Sequence, residues 1–239
     1  MEPLEKSTTE AAHNTLKNII LPGIRNTIIG VIVLGVVLCL LAGKFNYWQG
    51  WVFSVLFAVL TNSQGIYLGI KDPELLERRK LIAAPKESRG QKIFLIVALL
   101  ANACLLIFSA LDQRFGWSKM PTFVPVVGDG LIVLSFILYY FVLRENSWAA
   151  STIQIFETQK VISTGPYAHV RHPKYVGDLF LVIGTPLALG SWWALVFVII
   201  TIPALVWRIL DEEKLLKKDL PGYIDYTQKV GYRLVPYIW

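Results

Sequence analysis

The chain has 239 residues, of which 54% are hydrophobic and 17% charged, with a formal net charge of +6. Soluble domains usually carry about a quarter charged residues. Here the apolar excess is gathered in blocks that match the roughly 20 residues needed to cross a bilayer, which excludes an ordinary soluble fold. The basic residues flank those blocks and form no stripe interleaved with aromatics, so the positive balance points to lipid headgroups and topology and no nucleic-acid partner is expected.

Residues 1–18 are polar and mixed in charge. The first apolar block covers 27–42, extended upstream by 19–24 despite Pro22, which suits a spanning helix better than a signal-peptide core. Further blocks follow at 48–70, 93–111 and 126–143. The second contains a polar patch, Thr61-Asn62-Ser63-Gln64, which reads either as interhelical hydrogen bonding or as the lining of a substrate cavity. Cys39 and Cys104 sit inside apolar blocks, build neither a disulfide framework nor zinc-ligand spacing, and act as small hydrophobes. A polar segment, 144–175, precedes two more apolar runs, 176–189 and 192–210, divided by Gly190-Ser191. That break predicts a helical hairpin, and a charged, aromatic tail follows over 211–239. The first hairpin arm is short, about 21 Å at 1.5 Å per residue. The expectation is therefore an all-α integral membrane protein of five to six transmembrane helices, with N-terminal helices over 1–143 and a functional region over 144–239.

If the first segment begins in the cytoplasm, cytoplasmic segments hold 20 Lys and Arg against 3 outside, namely Lys44, Arg114 and Lys119. This is a positive-inside pattern, and it puts both termini in the cytoplasm. Trp48, Trp51, Trp117, Trp192 and Trp193 then form an outer aromatic belt. A transporter would place ionisable groups mid-span, and Asp129 is the main candidate here. Polar groups instead gather at the cytoplasmic edge, in 154–178 and 208–233, which suits a water-soluble cofactor meeting a lipid-borne substrate.

Two constellations carry the chemistry. In the first, Gly165-Pro166 is a turn and Pro173 suits the first turn of a helix, whose N-terminal end favours an anion such as a cofactor carboxylate. Tyr167, His172 and Tyr175 offer stacking and hydrogen bonds to a purine and ribose; a headgroup-binding loop is the other reading of the same residues. In the second, Arg208 and Glu212 are four apart and share a helix face. They read either as a surface ion pair with a snorkelling arginine, or as one group for an anionic substrate and one for the cofactor.

Taken in order, Gly165-Pro166-Tyr167-x-x-Val170-Arg171-His172-Pro173-x-Tyr175-x-Gly177, then Arg208-x-x-x-Glu212-Glu213-x-x-Leu216, Tyr223-x-x-Tyr226 and Arg233-Leu234-Val235-Pro236 resemble the isoprenylcysteine carboxyl methyltransferase family, in particular its bacterial and archaeal branch. Asp72-Pro73-Glu74-Leu75-Leu76-Glu77-Arg78 and Leu187-Ala188-Leu189-Gly190-Ser191-Trp192 extend the resemblance to roughly 70–239. It implies a membrane fold with no Rossmann domain, and Gly128-Asp129-Gly130 opens a spanning block instead of following a strand. It also implies S-adenosylmethionine as cofactor and S-adenosylhomocysteine as product, held by Gln154, Gln159, Lys160, Val161, Ile162, Tyr167, His172, Pro173, Lys174, Tyr175 and Glu212, with Arg208 on the substrate carboxylate. The implied partners are the bilayer and a lipophilic or lipidated acceptor, with no metal and no obligate protein partner. Asp178 departs from the family, which is often apolar there. Two alternatives stand beside this reading. One is an NADPH-dependent sterol-type reductase, which usually has Asn and Glu where this chain has Lys174 and Asp178; the other is a scaffold that has lost activity.

Overall fold

The computed structural model describes residues 16–80, 89–149, 155 and 158–239. Within them the chain is helical and has no strand. A π-helical turn, Leu16–Ile20, runs into α1, Leu21–Ala42, so the upstream extension past Pro22 is real and one continuous helix covers Leu16–Ala42. Then follow α2 (Trp48–Lys71), α3 (Pro73–Lys80), α4 (Arg89–Phe115) and α5 (Phe123–Glu145). A 3-10 turn at Gly165–Ala168 leads to α6 (Pro173–Ala188), α7 (Leu195–Asp219) and α8 (Tyr223–Lys229).

Among the described residues four helices are long and apolar enough to cross a membrane: Leu16–Ala42, Trp48–Lys71, Gly90–Phe115 and Phe123–Glu145. Their exposed faces are hydrocarbon, for example Ile28, Ile32 and Leu40 on α1 and Ile96, Leu99 and Leu100 on α4. A helix that turns so much apolar surface outward needs lipid around it. Inside, Leu38, Phe53, Ile132, Phe136 and Leu189 form one core that joins α1, α2 and α5 to the end of α6.

The α5–α6 pairing is the closest in the fold. A Cβ on Gly128 would stand 2.2 Å from the Ala188 backbone nitrogen, and one on Gly184 2.8 Å from the Gly128 carbonyl. Small residues allow this approach of backbones in membrane bundles, which is what Gly128 and Gly184 do here. The polar patch on α2 is resolved in favour of hydrogen bonding: Gln64 Nε2 donates to the Phe136 carbonyl on α5 at 2.9 Å, and Asn62 bonds back to Ala58.

The hairpin forms as expected, with Gly190 in the left-handed region at φ +76. Its tip is wired to the neighbouring helix ends. Tyr47 donates its hydroxyl to the Leu189 carbonyl at 2.6 Å, and Gln113 donates to the Gly190 carbonyl at 3.0 Å. The buried Asp112 carboxylate accepts from the Ser118 amide and from the Ser118 and Ser191 hydroxyls.

Two elements differ from the sequence reading. The second arm starts later, at Leu195, and runs past residue 210 to Asp219, so the first part of the expected tail, 211–219, is helix with Lys217 and Lys218 at its favourable C-terminal end. The basic stretch after α2 also contains a short helix, α3, whose first turn is capped by Asp72 Oδ1 accepting from the Leu75 amide at 2.9 Å.

Candidate active site

The hairpin opens away from its tip, and a cavity of about 900 Å³, its mouth included, lies at that end. Four elements make most of its wall. On α7, Arg208, Glu212, Leu216 and Leu220 recur every four residues and present one stripe to the cavity. The start of α6 supplies His172, Pro173, Lys174 and Tyr175. The loop before it supplies Gln159, Lys160, Val161, Ile162 and Tyr167, and α8 adds Tyr223 and Tyr226. Every residue singled out from sequence therefore lines one cavity, except Gln154, which lies outside the described residues.

Tyr175 sits between the two charged groups of the α7 stripe. Its hydroxyl donates to Glu212 Oε2 at 2.6 Å and accepts from Arg208 Nε at 3.1 Å. Arg208 and Glu212 thus share a phenol instead of forming a surface pair. The Arg208 guanidinium is also buried over the Phe94 ring, 4.7 Å from its centroid, an arrangement that favours a fixed arginine.

Tyr167 is pinned from two sides. Asn146, at the end of α5, donates to its hydroxyl at 2.9 Å, and Tyr226 donates to its carbonyl at 2.7 Å. The turn that carries it is fastened to the same helix end by Thr164, which donates to Glu145 at 2.9 Å. Gly165 takes φ +57 there, with the Glu145 side chain filling the space of a Cβ. Burial pushes the Tyr167 phenol up to about 12, against the pull of the Asn146 hydrogen bond. Burial likewise raises Tyr223, helped by the charges of Glu213 and Glu212, and raises Tyr226 beside Tyr167. These phenols stay protonated near neutral pH, so they act as donors and ring surfaces, not as bases.

The residue missed by sequence reasoning is Glu213, one position from Glu212 but on the row of Leu205 and Ile209. It is 2% exposed and gathers Arg171 (3.3 Å), His172 (3.3 Å), Arg233 (3.0 Å) and the more exposed Lys217 (3.8 Å). Burial alone would raise its carboxyl, but the His172 hydrogen bond, the Arg171 charge and the Arg233 hydrogen bond hold it down at about 2. His172 therefore turns its Nε2 to Glu213 while its ring forms part of the cavity wall. The segment after α8 joins the same hub, since the Arg171 and His172 amides donate to the Tyr232 and Arg233 carbonyls at 2.9 and 3.0 Å. The signal that was available is the row itself: Ile209, Glu213 and Lys217 are spaced by four, next to the Arg208 row. Asn146 and Trp148, also in the wall, carry no sequence signal beyond their place at a helix end.

A family model described as phospholipid methyltransferase matches residues 123–220. Protein-S-isoprenylcysteine O-methyltransferase of Saccharomyces cerevisiae is 31% identical over 131 residues, 52% of this chain and 54% of that protein. Delta(14)-sterol reductase of Mus musculus is 30% identical over 91 residues, 37% of this chain and 22% of that protein. The chain thus spans about half the length of the yeast relative and less of the mouse one. The solved structure of the eukaryotic intramembrane Ras methyltransferase ICMT, isoprenylcysteine carboxyl methyltransferase, superposes with a TM-score of 0.58 at 22% identity, covering 87% of this chain and 73% of that one. The chain shares the membrane fold of an isoprenylcysteine carboxyl methyltransferase. Within that membrane fold, Asp178 has local partners: it pairs with Lys174 at 2.8 Å and accepts from the Tyr139 hydroxyl. The two positions that differ from the reductase pattern, 174 and 178, are thus used together.

Proposed function

We propose that the protein is an S-adenosylmethionine-dependent methyltransferase acting at the membrane surface on a lipophilic or lipid-linked acceptor, with the carboxylate of an isoprenylcysteine-like group as the acceptor that fits best. The observation that carries this reading is the gathering of the loop 159–162, Tyr167, the start of α6, Arg208 and Glu212 around one cavity. The match of residues 123–220 to the phospholipid methyltransferase family model, and the yeast relative's name, point the same way. The lining from Asn146 to Tyr226 supports 144–239 as the functional region, and the positive-inside pattern supports a cytoplasmic site.

The lining suits the cofactor chemically. Tyr167, Tyr175, Tyr223, Tyr226 and Trp148 offer ring faces, and Glu212 offers a carboxylate for hydroxyl or amino groups. Tyr223 brings a buried hydroxyl without a partner among the described residues, a group that a ligand would satisfy. When bound, S-adenosylmethionine supplies an electrophilic methyl group on a sulfonium that is its own leaving group.

The chain's residues then have a limited task. A carboxylate acceptor is ionised near neutral pH and needs no general base, which agrees with the protonated phenols. Arg208 holds the acceptor carboxylate through charge-assisted hydrogen bonds. Tyr175, bonded to both Arg208 and Glu212, fixes the distance between the acceptor side and the cofactor side. Alignment of oxygen, methyl and sulfur, with water kept out, can contribute ~7–11 kcal/mol.

The similarity to the mouse reductase keeps one second reading open, an NADPH-dependent sterol-type reductase. Calorimetric titration of the purified protein with S-adenosylhomocysteine and, separately, NADPH decides between them.

A further inference from the structure

The segment 231–239 is fixed to the site on one side and bare on the other. Backbone bonds tie it to Arg171 and His172, and Arg233 pairs with Glu213. Leu234 is buried in one cluster with Tyr175, Leu205 and Ile209, against which Val176, Leu179 and Trp239 also pack.

Those partners set its depth. The hairpin tip carries exposed Trp192 and Trp193, the side chains of a membrane interface. Tyr175 on α6 and Ile209 on α7, in the same cluster, lie 13 and 14 residues from the helix ends at that tip, about 20 Å at 1.5 Å per residue. The hydrocarbon core is about 30 Å thick, so the cluster holding Leu234 and Trp239 reaches into the pocket-side leaflet. Between these two anchors the chain makes a tight turn, closed by the Ile238 and Trp239 amides donating to the Val235 carbonyl at 3.2 and 3.1 Å. The turn holds Tyr237 at φ +66, uncommon for a residue with a side chain. It presents Tyr237 and Ile238 outward, 89% and 80% exposed. An ordered turn that displays an aromatic and an aliphatic residue at this depth has the chemistry of an interfacial lipid contact.

We propose that the turn at 235–238 is a membrane-anchoring element, with Tyr237 and Ile238 inserted at the headgroup–acyl boundary beside the hairpin. It ties the bilayer to the site wall through Leu234 and Arg233, so the surface next to Tyr175 is lipid instead of water. The inference rests on the membrane fold and not on the methyltransferase reading.

The test places a cysteine at the turn, Ile238→Cys, in a chain with Cys39→Ala and Cys104→Ala, labelled with an environment-sensitive fluorophore. The full chain is reconstituted in phosphatidylcholine–phosphatidylglycerol vesicles. Gln228→Cys, on the exposed face of α8, is the control site. Nitroxide lipids labelled near the headgroup end of the acyl chain are expected to quench the 238 label several-fold more than the 228 label, with aqueous iodide showing the reverse order. Tyr237→Cys repeats the measurement in case one label disturbs the turn. Iodide quenching at 237 and 238 equal to that at 228, with no excess from the nitroxide lipids, overturns the proposal whatever cofactor the protein binds.

Discussion

The two ends of the α6–α7 hairpin bury polar groups in opposite ways. At the tip, Asp112, Ser118, Ser191, Tyr47 and Gln113 bond to one another and to the turn backbone, and the lattice is closed by short neutral-to-anion hydrogen bonds. At the open end, the charges are split into two neighbouring rows of one helix. The row of Glu213 is saturated by cations, while the row of Arg208 and Glu212 faces a cavity and meets across a single phenol. The difference teaches that the tip is built to hold and the open end to hold and to bind. On α7, buried Glu213 is held by cations, whereas half-buried Glu212 meets the Tyr175 phenol and faces the cavity.

Substitutions that remove one partner from each end test this division, and the largest effect is expected at Glu213. Glu213→Ala leaves Arg171, His172 and Arg233 without their shared anion, and breaking a buried ion pair costs about 3–5 kcal/mol. Thermal unfolding in detergent should fall sharply, and S-adenosylhomocysteine binding should be lost with it. A stable Glu213→Ala protein would erase the contrast between the two rows.

Tyr175→Phe keeps the ring and removes the link between Arg208 and Glu212. Hydrogen bonds to charged groups are worth about 1.5–3 kcal/mol, so the unfolding temperature should fall less than in Glu213→Ala, while methyl transfer should drop by tenfold or more. Equal losses of stability and turnover would make the phenol a packing group. Arg208→Ala should abolish transfer to a carboxylate acceptor. The Tyr175 bond makes some weakening of cofactor binding expected as well, through the displaced Glu212.

At the tip, Asp112→Ala orphans one amide and two hydroxyls. The cost should be about 1–3 kcal/mol, read as a lower unfolding temperature with unchanged affinity for S-adenosylhomocysteine. A loss of affinity would show that the tip is coupled to the cavity.

The smallest expected effect is that of acid. Glu213 is held at about 2, below its ordinary 4.5. Its contribution to stability is complete above pH 4.5 and is lost as the pH falls towards 2. Glu213→Gln, which cannot titrate, should flatten the stability profile in that window.

Much of this was legible in the sequence because hydropathy and turn chemistry are local. The four long apolar helices, the Gly190-Ser191 break and the turn at Gly165-Pro166 all follow from residue type and order. The α7 stripe was legible too, since Arg208, Glu212 and Leu216 recur at helical spacing. The role of Glu213 was not, because two adjacent glutamates differ only by a rotation of about 100° on the helix. The direction of that rotation depends on Arg171 and Arg233, brought in from distant segments. The docking of 231–239 against Arg171 and His172 was hidden for the same reason: its backbone partners lie about sixty residues upstream.

The central claim is that the cavity at the open end of the hairpin holds S-adenosylmethionine. Isothermal titration of the detergent-purified protein with S-adenosylhomocysteine and with NADPH tests it directly. The account predicts saturable binding of S-adenosylhomocysteine, weakened in Glu212→Ala, and none of NADPH. Binding of NADPH alone would contradict it and assign the same cavity to a reductase.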